Sequence, residues 1–440
     1  MRRWMLVLAL WTGGGALAEG LPAPITEADY APVRRDEAAL GRLLFYDPIL
    51  SGNREVACAT CHHPAHGTSD GLSLGIGDGG RGLEPARVVD PDNPPEERIP
   101  RNATGLFNLG AREFTVLFHD GRIEADPSRP TGLRTPMGAE MESGFASVLS
   151  AQTMFPVLSP DEMAGHYTEN EVAKAVRTGI ITGPGGAWDL ISRRVAAVPD
   201  YAAGFREVRG LAPEEIAFTD ISDVIAAFVA HEWRSDTSPF DAYLRGEGQL
   251  DAAALEGMAL FYGPAGCAGC HGGTFQTDHG FHAMGAVQLG PGKVARFETH
   301  ARDDGRMRVT GHVEDTYAFR TPSLRNVALT APYGHAGAFS DLAAYLRHHA
   351  DPRTGLEAYD RRQAVLPDLP GHDDWRIMDD PEARTAIAAA VEAPPVALDA
   401  DEIAALVAFL ESLTDPVAVT GRMGVPEAVP SGLDVPNPAQ

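Results

Sequence analysis

The sequence predicts a mainly α-helical protein of two related domains with long loops, and three observations support this. Apolar residues recur at helical spacing in several segments, whereas sustained apolar–polar alternation is scarce. A Cys-x-x-Cys-His string occurs twice, at Cys58–His62 and at Cys267–His271. A further pair of related strings follows these two, one from Arg101 to Gly121 and one from Arg320 to Gly337, with 18 and 15 positions from the arginine to His119 and to His335. A repeat of this kind indicates an internal duplication.

Three apolar stripes give the clearest helices. They comprise Ile221, Val224, Ile225, Phe228 and Val229; Leu255, Met258, Ala259 and Tyr262; and Ile403, Leu406, Val407, Leu410 and Leu413. Asp251 precedes the second stripe as a candidate N-cap. We interpret all three stripes as core-packing faces. Residues 78–100 and the tail from Pro416 are rich in Gly or Pro, which predicts irregular surface segments.

Every cysteine of the chain lies in the two Cys-x-x-Cys-His strings, as Cys58, Cys61, Cys267 and Cys270. This spacing is typical of covalent haem attachment, in which both thiols form thioethers and the adjacent histidine binds the iron. A split zinc site or two thioredoxin-like motifs would leave His62 and His271 unexplained. We therefore predict two haem c groups and two c-type cytochrome domains.

The N-terminus predicts export. Arg2 and Arg3 precede a short apolar run, and Ala16-Leu17-Ala18 has the pattern of a cleavage signal. We expect a signal peptide over residues 1–18 and a periplasmic mature protein, with an uncleaved anchor as the alternative. Because no later stretch approaches transmembrane length, stable membrane insertion is not expected.

We divide the mature chain into an N-terminal haem domain (19–235), a C-terminal haem domain (236–415) and a Pro-rich tail (416–440). The formal net charge of −25 argues against nucleic acid as a partner and favours docking to basic or neutral proteins. A homodimer is compatible with the sequence.

Ordered motifs carry a family resemblance. They are Leu40-Gly41-Arg42-Leu43-Leu44-Phe45-Tyr46-Asp47, Phe118-His119-Asp120-Gly121-Arg122, and Arg320-Thr321-Pro322-Ser323-Leu324-Arg325-Asn326 with the Tyr333-Gly334-His335-Ala336-Gly337 string after it. Together with the two haem strings they resemble the bacterial dihaem cytochrome c peroxidase and MauG family over roughly residues 40–413. The resemblance implies a peroxidatic N-terminal haem and an electron-relaying C-terminal haem.

The resemblance also implies a proton-transfer residue. Residues 152–163 are similar to the family's distal segment, which assigns Glu162 as the acid–base residue, with Gln152 and Pro156 lining the pocket. A carboxylate there can move a proton between the peroxide oxygens as their bond breaks. Without the resemblance, Asp161 and Glu162 would be interpreted as the first turn of a surface helix.

Departures from the family pattern shape the expected chemistry. Some members hold a histidine in the loop after the first haem string, but residues 72–82 contain none. We therefore expect an N-terminal haem iron that is five-coordinate or water-bound, without reductive activation. The outer ligand of the second haem is a Met or Tyr in the family, and the corresponding residue here is His349. His348 is the competing ligand, and the alternative is that both histidines are solvated at a helix end. Two imidazoles lower the iron potential relative to His/Met ligation.

Two further assignments come from the likeness. His119 occupies the position where much of the family has a tryptophan between the haems, which puts that electron route in doubt. Asn102, through its side chain, and Thr330 and Pro332, through their carbonyls, are implied as ligands of a calcium ion, which prefers hard oxygen donors. The long segment 123–150 either covers the peroxide pocket, docks a partner protein or is a surface insertion without a function.

The resemblance and these residues together leave three functions open. The leading one is reduction of hydrogen peroxide with electrons from a small cytochrome c or a cupredoxin. The second is a MauG-like enzyme that uses peroxide to oxidise residues of a partner protein. The third is a non-enzymatic dihaem electron carrier, against which Glu162 and the missing loop histidine argue.

Overall fold

The structure is a computed structural model that describes residues 20–83, 85–166, 169–295 and 298–437. The predicted signal peptide, residues 1–18, lies outside this range. Within the described residues, no helix combines the length and apolar character needed to cross a membrane.

The described chain is mainly α-helical, as predicted. Its helices are α1 (Arg35–Phe45), α2 (Cys58–Cys61), α3 (Val148–Thr153), α4 (Glu171–Thr178), α5 (Ala187–Ala196), α6 (Pro199–Arg209), α7 (Phe218–Glu232), α8 (Pro239–Leu244), α9 (Ala252–Phe261), α10 (Met307–Thr310), α11 (Leu342–Ala350), α12 (Pro352–Glu357), α13 (Arg376–Asp379), α14 (Pro381–Ala389), α15 (Ala400–Glu411) and α16 (Pro416–Thr420). The strands are β1 (Gly80–Arg81), β2 (Val88–Val89), β3 (Val116–Leu117), β4 (Ile123–Ala125), β5 (Leu133–Arg134), β6 (Phe281–His282) and β7 (Phe319–Arg320). They pair antiparallel as β1-β2, β3-β4-β5 and β6-β7.

The three predicted stripes lie on α7, α9 and α15, except that Tyr262 and Leu413 follow the ends of α9 and α15. Asp251 caps α9 by accepting a hydrogen bond from the Ala254 N–H at 2.8 Å. The Asp399 carboxylate caps α15 in the same manner, accepting from the Asp401 and Glu402 N–H groups. A carboxylate here satisfies backbone donors that the first helical turn leaves unpaired.

Each haem string follows a helix that packs closely on a later helix. α1 packs on α7, and α9 packs on α15. A Cβ at Gly41 of α1 would lie 1.7 Å from the Val224 carbonyl oxygen of α7, and one at Gly257 of α9 would lie 1.9 Å from that of Ala405 on α15. Only glycine permits such close backbone approach at either crossing.

The two segments expected at the surface are partly buried, so that prediction is wrong in part. In residues 78–100, Arg87 and Arg98 are each only 3% exposed. In the tail, Val429 joins the core of the N-terminal half, and the buried Glu232 carboxylate accepts from the N–H groups of residues 422–424. The described backbone of these segments is irregular outside β1, β2 and α16. Gly- and Pro-rich composition carries no information on tertiary contacts.

The long segment 123–150 packs on the N-terminal core. Met141 is buried there, Met137 and Phe145 pack against the same cluster, and the Ala146 N–H donates to Asp223 on α7 at 2.9 Å. β4 and β5 lie within this segment. Its apolar side chains therefore serve the core of the protein.

Candidate functional site

The first haem string is held by local hydrogen bonds. Cys58 and Cys61 lie on α2, and the Thr60 hydroxyl accepts from the Ala57 N–H at 3.0 Å. The His62 Nδ1 is 2.9 Å from the Thr68 carbonyl oxygen. Because a carbonyl can only accept, Nδ1 is the protonated nitrogen, and Nε2 retains its lone pair. Burial lowers the pKa of His62 and so favours the neutral imidazole that an iron requires.

The second haem string repeats this arrangement. Cys267 begins a short 3-10 turn, and the His271 Nδ1 lies 3.2 Å from the Gln276 carbonyl oxygen. Thr68 and Gln276, which supply the two carbonyls, both have positive φ, at 61° and 49°. A left-handed backbone is uncommon for Thr and Gln, yet it occurs at both carbonyls. Each carbonyl accepts from a histidine Nδ1, so both histidines are held in the same tautomer.

His349 lies next to His271. It projects from α11, and the two ring centroids are 6.3 Å apart. Two imidazoles bound to one metal ion by bonds of about 2 Å have centroids about 6 Å apart. His348, the competitor, is buried with its ring 4.8 Å from the Phe339 ring in the C-terminal core. The structure thus brings His349, and not His348, opposite His271.

The predicted distal residues lie on three consecutive turns. Gln152 is on α3, Pro156 begins the 3-10 turn Pro156–Leu158, and Glu162 lies on a π-helical turn, Pro160–Ala164. π-Helical turns are rare and occur frequently at functional sites. Burial raises the pKa of the half-buried Glu162 carboxyl, while the charges of Lys293 and Arg122 act in the opposite direction.

A buried ion network joins the two halves of the chain. Arg101 binds Asp303 through two hydrogen bonds, of 2.7 and 2.8 Å, and its Nη1 lies 2.7 Å from Asp120 Oδ2. Burial alone would raise the pKa of Asp303, but Arg101 lowers it to about 2. The repeated strings contained Arg101 and Asp120, whereas no sequence signal pointed to Asp303 or to Lys293.

His119 lies at the same junction. Its carbonyl accepts from the Arg320 N–H at 2.7 Å, and the Phe118 carbonyl accepts from the Arg320 Nε at 3.2 Å. Burial, followed by the charge of Arg101, lowers the pKa of His119 well below its ordinary value. Nearby, His335 stacks on Phe319 with a centroid distance of 3.9 Å.

The residues present fit two haem groups. Each haem string has a histidine with Nε2 available, and a second imidazole faces His271. Burial lowers the pKa of Arg320 to about 10, and among the described residues its guanidinium donates only to carbonyls. A cation without a carboxylate partner suits a cofactor that carries propionate groups.

Asn102 lies beside the segment that supplies the other implied calcium ligands. Its backbone N–H donates to the His335 carbonyl at 2.9 Å, and its side-chain amide donates to the Leu72 carbonyl at 2.7 Å. A Cβ at Gly105 would lie 3.1 Å from the Thr330 Cγ2. The structure therefore brings residues 102–105 against residues 330–335.

Fold and site together define a dihaem c-type oxidoreductase. A family model described as di-haem cytochrome c peroxidase matches residues 35–249. The methylamine utilization protein MauG of Methylorubrum extorquens is 32% identical over 332 residues, which cover 74% of this chain and 72% of that protein. The chain belongs to the dihaem cytochrome c peroxidase and MauG family.

Two other proteins extend this likeness. Cytochrome c551 peroxidase of Pseudomonas aeruginosa is 28% identical over 330 residues, which cover 75% of this chain and 76% of that enzyme. The crystal structure of a MauG-like protein associated with microbial copper homeostasis matches with a TM-score of 0.57 and 26% identity, covering 92% of this chain and 97% of that one. The predicted family, the enzyme class and the haem cofactors are thereby confirmed.

Proposed function

We propose that this enzyme reduces hydrogen peroxide to water at its N-terminal haem. The observation that carries the proposal is the half-buried Glu162 on its π-helical turn, in the same half of the chain as His62. Burial raises the pKa of this carboxyl. Residues 72–82, which in some relatives supply a blocking histidine, contain none. An electron carrier would have no use for such a carboxyl.

The bound haem supplies an iron that binds peroxide and passes electrons. Glu162 takes the proton from the inner oxygen of hydrogen peroxide and returns it to the outer oxygen, which leaves as water. Two electrons and two further protons complete the reduction to a second water. Gln152 and Pro156 would line the pocket, and the hydrogen bond from His62 Nδ1 to the Thr68 carbonyl would orient the imidazole that holds the iron.

We assign electron relay to the C-terminal haem, which His271 and His349 would hold through their imidazoles. A small cytochrome c or a cupredoxin would deliver the electrons, and the net charge of −25 suits a basic or neutral donor. His119 and the Arg101 network lie at the junction of the two halves of the chain. Imidazole carries a hole less readily than indole does, so we expect no relay through oxidised His119.

The second candidate is a MauG-like enzyme that uses peroxide to oxidise residues of a partner protein. The facing His271 and His349 rings favour it, because bis-imidazole ligation stabilises oxidised iron more than His/Met ligation does. Both candidates use the same peroxide site.

Rapid mixing of the fully oxidised enzyme with hydrogen peroxide separates the candidates. The peroxidase predicts fast turnover when reduced cytochrome c is supplied, followed by cytochrome oxidation in the visible spectrum. A long-lived oxidised state at both haems, with slow cytochrome oxidation, would favour the MauG-like function. Two low-spin haems that do not react with peroxide would contradict both and support the carrier.

We also propose that the mature protein is periplasmic and divides at residues 235–236 into duplicated haem domains. The matching helix crossings at Gly41 and Gly257 support the duplication. So do the positive-φ residues Thr68 and Gln276, whose carbonyls accept from His62 and His271. The tail from residue 416 packs on the N-terminal half.

A calcium ion at Asn102, Thr330 and Pro332 completes the proposal. Oxygen ligands from both halves would tie residue 102 to the 330–335 segment. We expect the purified enzyme to contain calcium by elemental analysis and its thermal midpoint to fall after chelation. Asn102→Ala should abolish both the bound calcium and the effect of the chelator. Calcium-free protein with a full haem complement would contradict this site.

A further inference from the structure

The loop formed by residues 74–79 runs directly behind Glu162. The Asp78 N–H donates to the Glu162 carbonyl oxygen at 3.0 Å. A Cβ at Gly77 would lie 2.4 Å from the carbonyl oxygens of both Asp161 and Glu162, so no side chain fits between the two segments. The loop and the π-helical turn are therefore in direct backbone contact.

The π-helical turn depends on partners from elsewhere for its last carbonyls. The Met163 carbonyl accepts from the Gly52 N–H at 2.7 Å, and the Ala164 carbonyl accepts from the Asn170 side chain at 3.0 Å. The Glu162 carbonyl accepts from Asp78. Terminal carbonyls of a helix have no partner within it, so these bonds set the backbone position at Glu162.

Arg87 holds the loop from its other side. This arginine is 3% exposed, and its guanidinium donates three hydrogen bonds of 2.6 Å, to the carbonyls of Ile76, Gly77 and Gly82. A Cβ at Gly80 would lie 2.5 Å from the Arg87 Nε, so the guanidinium is enclosed. A planar group with five donors can bridge several carbonyls at once, which lysine cannot do.

We propose that Arg87 is a positioning residue for Glu162, acting through the loop 74–79. This inference rests on the proposed acid–base role of Glu162. Loss of Arg87 frees the carbonyls of Ile76 and Gly77, the loop relaxes, and the Asp78 N–H no longer holds the Glu162 backbone. The carboxylate then leaves its place beside the peroxide. A misplacement of about 1 Å can slow a reaction on the order of 100-fold.

A double-mutant cycle on the haem-loaded enzyme tests this. The rate to measure is that of formation of the oxidised enzyme after mixing with hydrogen peroxide. We expect Arg87→Gln to slow it on the order of 100-fold in the wild-type background, but by less than about twofold in the Glu162→Gln background. Arg81 lies on β1, directly after this loop, but its side chain is exposed and pairs with Asp90, so Arg81→Gln should react at the wild-type rate.

Equal slowing by Arg87→Gln in both backgrounds would overturn the positioning role, because a merely structural defect does not depend on Glu162. A wild-type rate in Glu162→Gln would instead remove the proposed acid–base function, and the positioning role would fall with it. If Arg87→Gln does not fold, as judged by haem absorbance and thermal unfolding, Arg87→Lys and Gly77→Ala replace it. Both should show the same non-additivity with Glu162→Gln, and additivity would overturn the proposal.

Discussion

Glu162→Gln should slow formation of the oxidised enzyme by about 10²- to 10⁴-fold, the usual contribution of a positioned acid–base group. Glutamine keeps the size and polarity of the side chain but cannot accept the peroxide proton. Stopped-flow mixing of the ferric enzyme with hydrogen peroxide measures this rate directly. Asp161→Asn is the matched control. At alkaline pH, where Glu162 is ionised with or without a charge on its neighbour, this variant should react near the wild-type rate.

The pH dependence gives this prediction a second readout. Burial raises the pKa of Glu162. Because the carboxylate is the form that accepts the proton, the rate should rise with increasing pH through that raised pKa, above the usual range for glutamate. The rise should disappear in Glu162→Gln. A wild-type rate in that variant, or an unchanged pH profile, would contradict the acid–base role.

His349→Ala should convert the second haem from low spin to high spin, because its outer imidazole is removed. Electron paramagnetic resonance and the visible spectrum of the ferric enzyme report this change. His348→Ala is the control, since His348 packs on Phe339 in the core. It should retain the low-spin signal and cost about 2 kcal/mol in the free energy of unfolding.

The opposite pattern, with the low-spin signal lost in His348→Ala and kept in His349→Ala, would contradict the assignment. His349→Met adds a graded test, because a thioether ligand favours ferrous iron. We expect the midpoint potential of the second haem to rise in that variant. An unchanged potential would place His349 outside the coordination sphere.

Local spacing made part of this structure predictable. The stripes on α7, α9 and α15 follow from helical periodicity, and the cap at Asp251 follows from its position before the stripe. Counting along the family pattern selected His349, which the structure places opposite His271. The covalent haem strings required no tertiary information at all.

Other features depend on residues far apart in the chain. Arg101 pairs with Asp303 across 202 positions, and no local pattern marks Asp303 as its partner. Arg87 lay in a segment whose Gly and Pro content predicted exposed backbone, yet it is buried by its three carbonyl partners. The packing of the tail on Glu232 was not predictable either, because these partners also lie far apart in the chain.

The sequence alone determined the haem attachment strings, their order, the helical character of the chain and the family to which it belongs. These depend on covalent chemistry and on spacings of a few residues. Only the tertiary structure decided which buried charges pair, where His348 points and what holds the backbone behind Glu162. Such contacts arise because buried carbonyls and charged groups must find partners in space, and that requirement leaves no periodic trace along the chain.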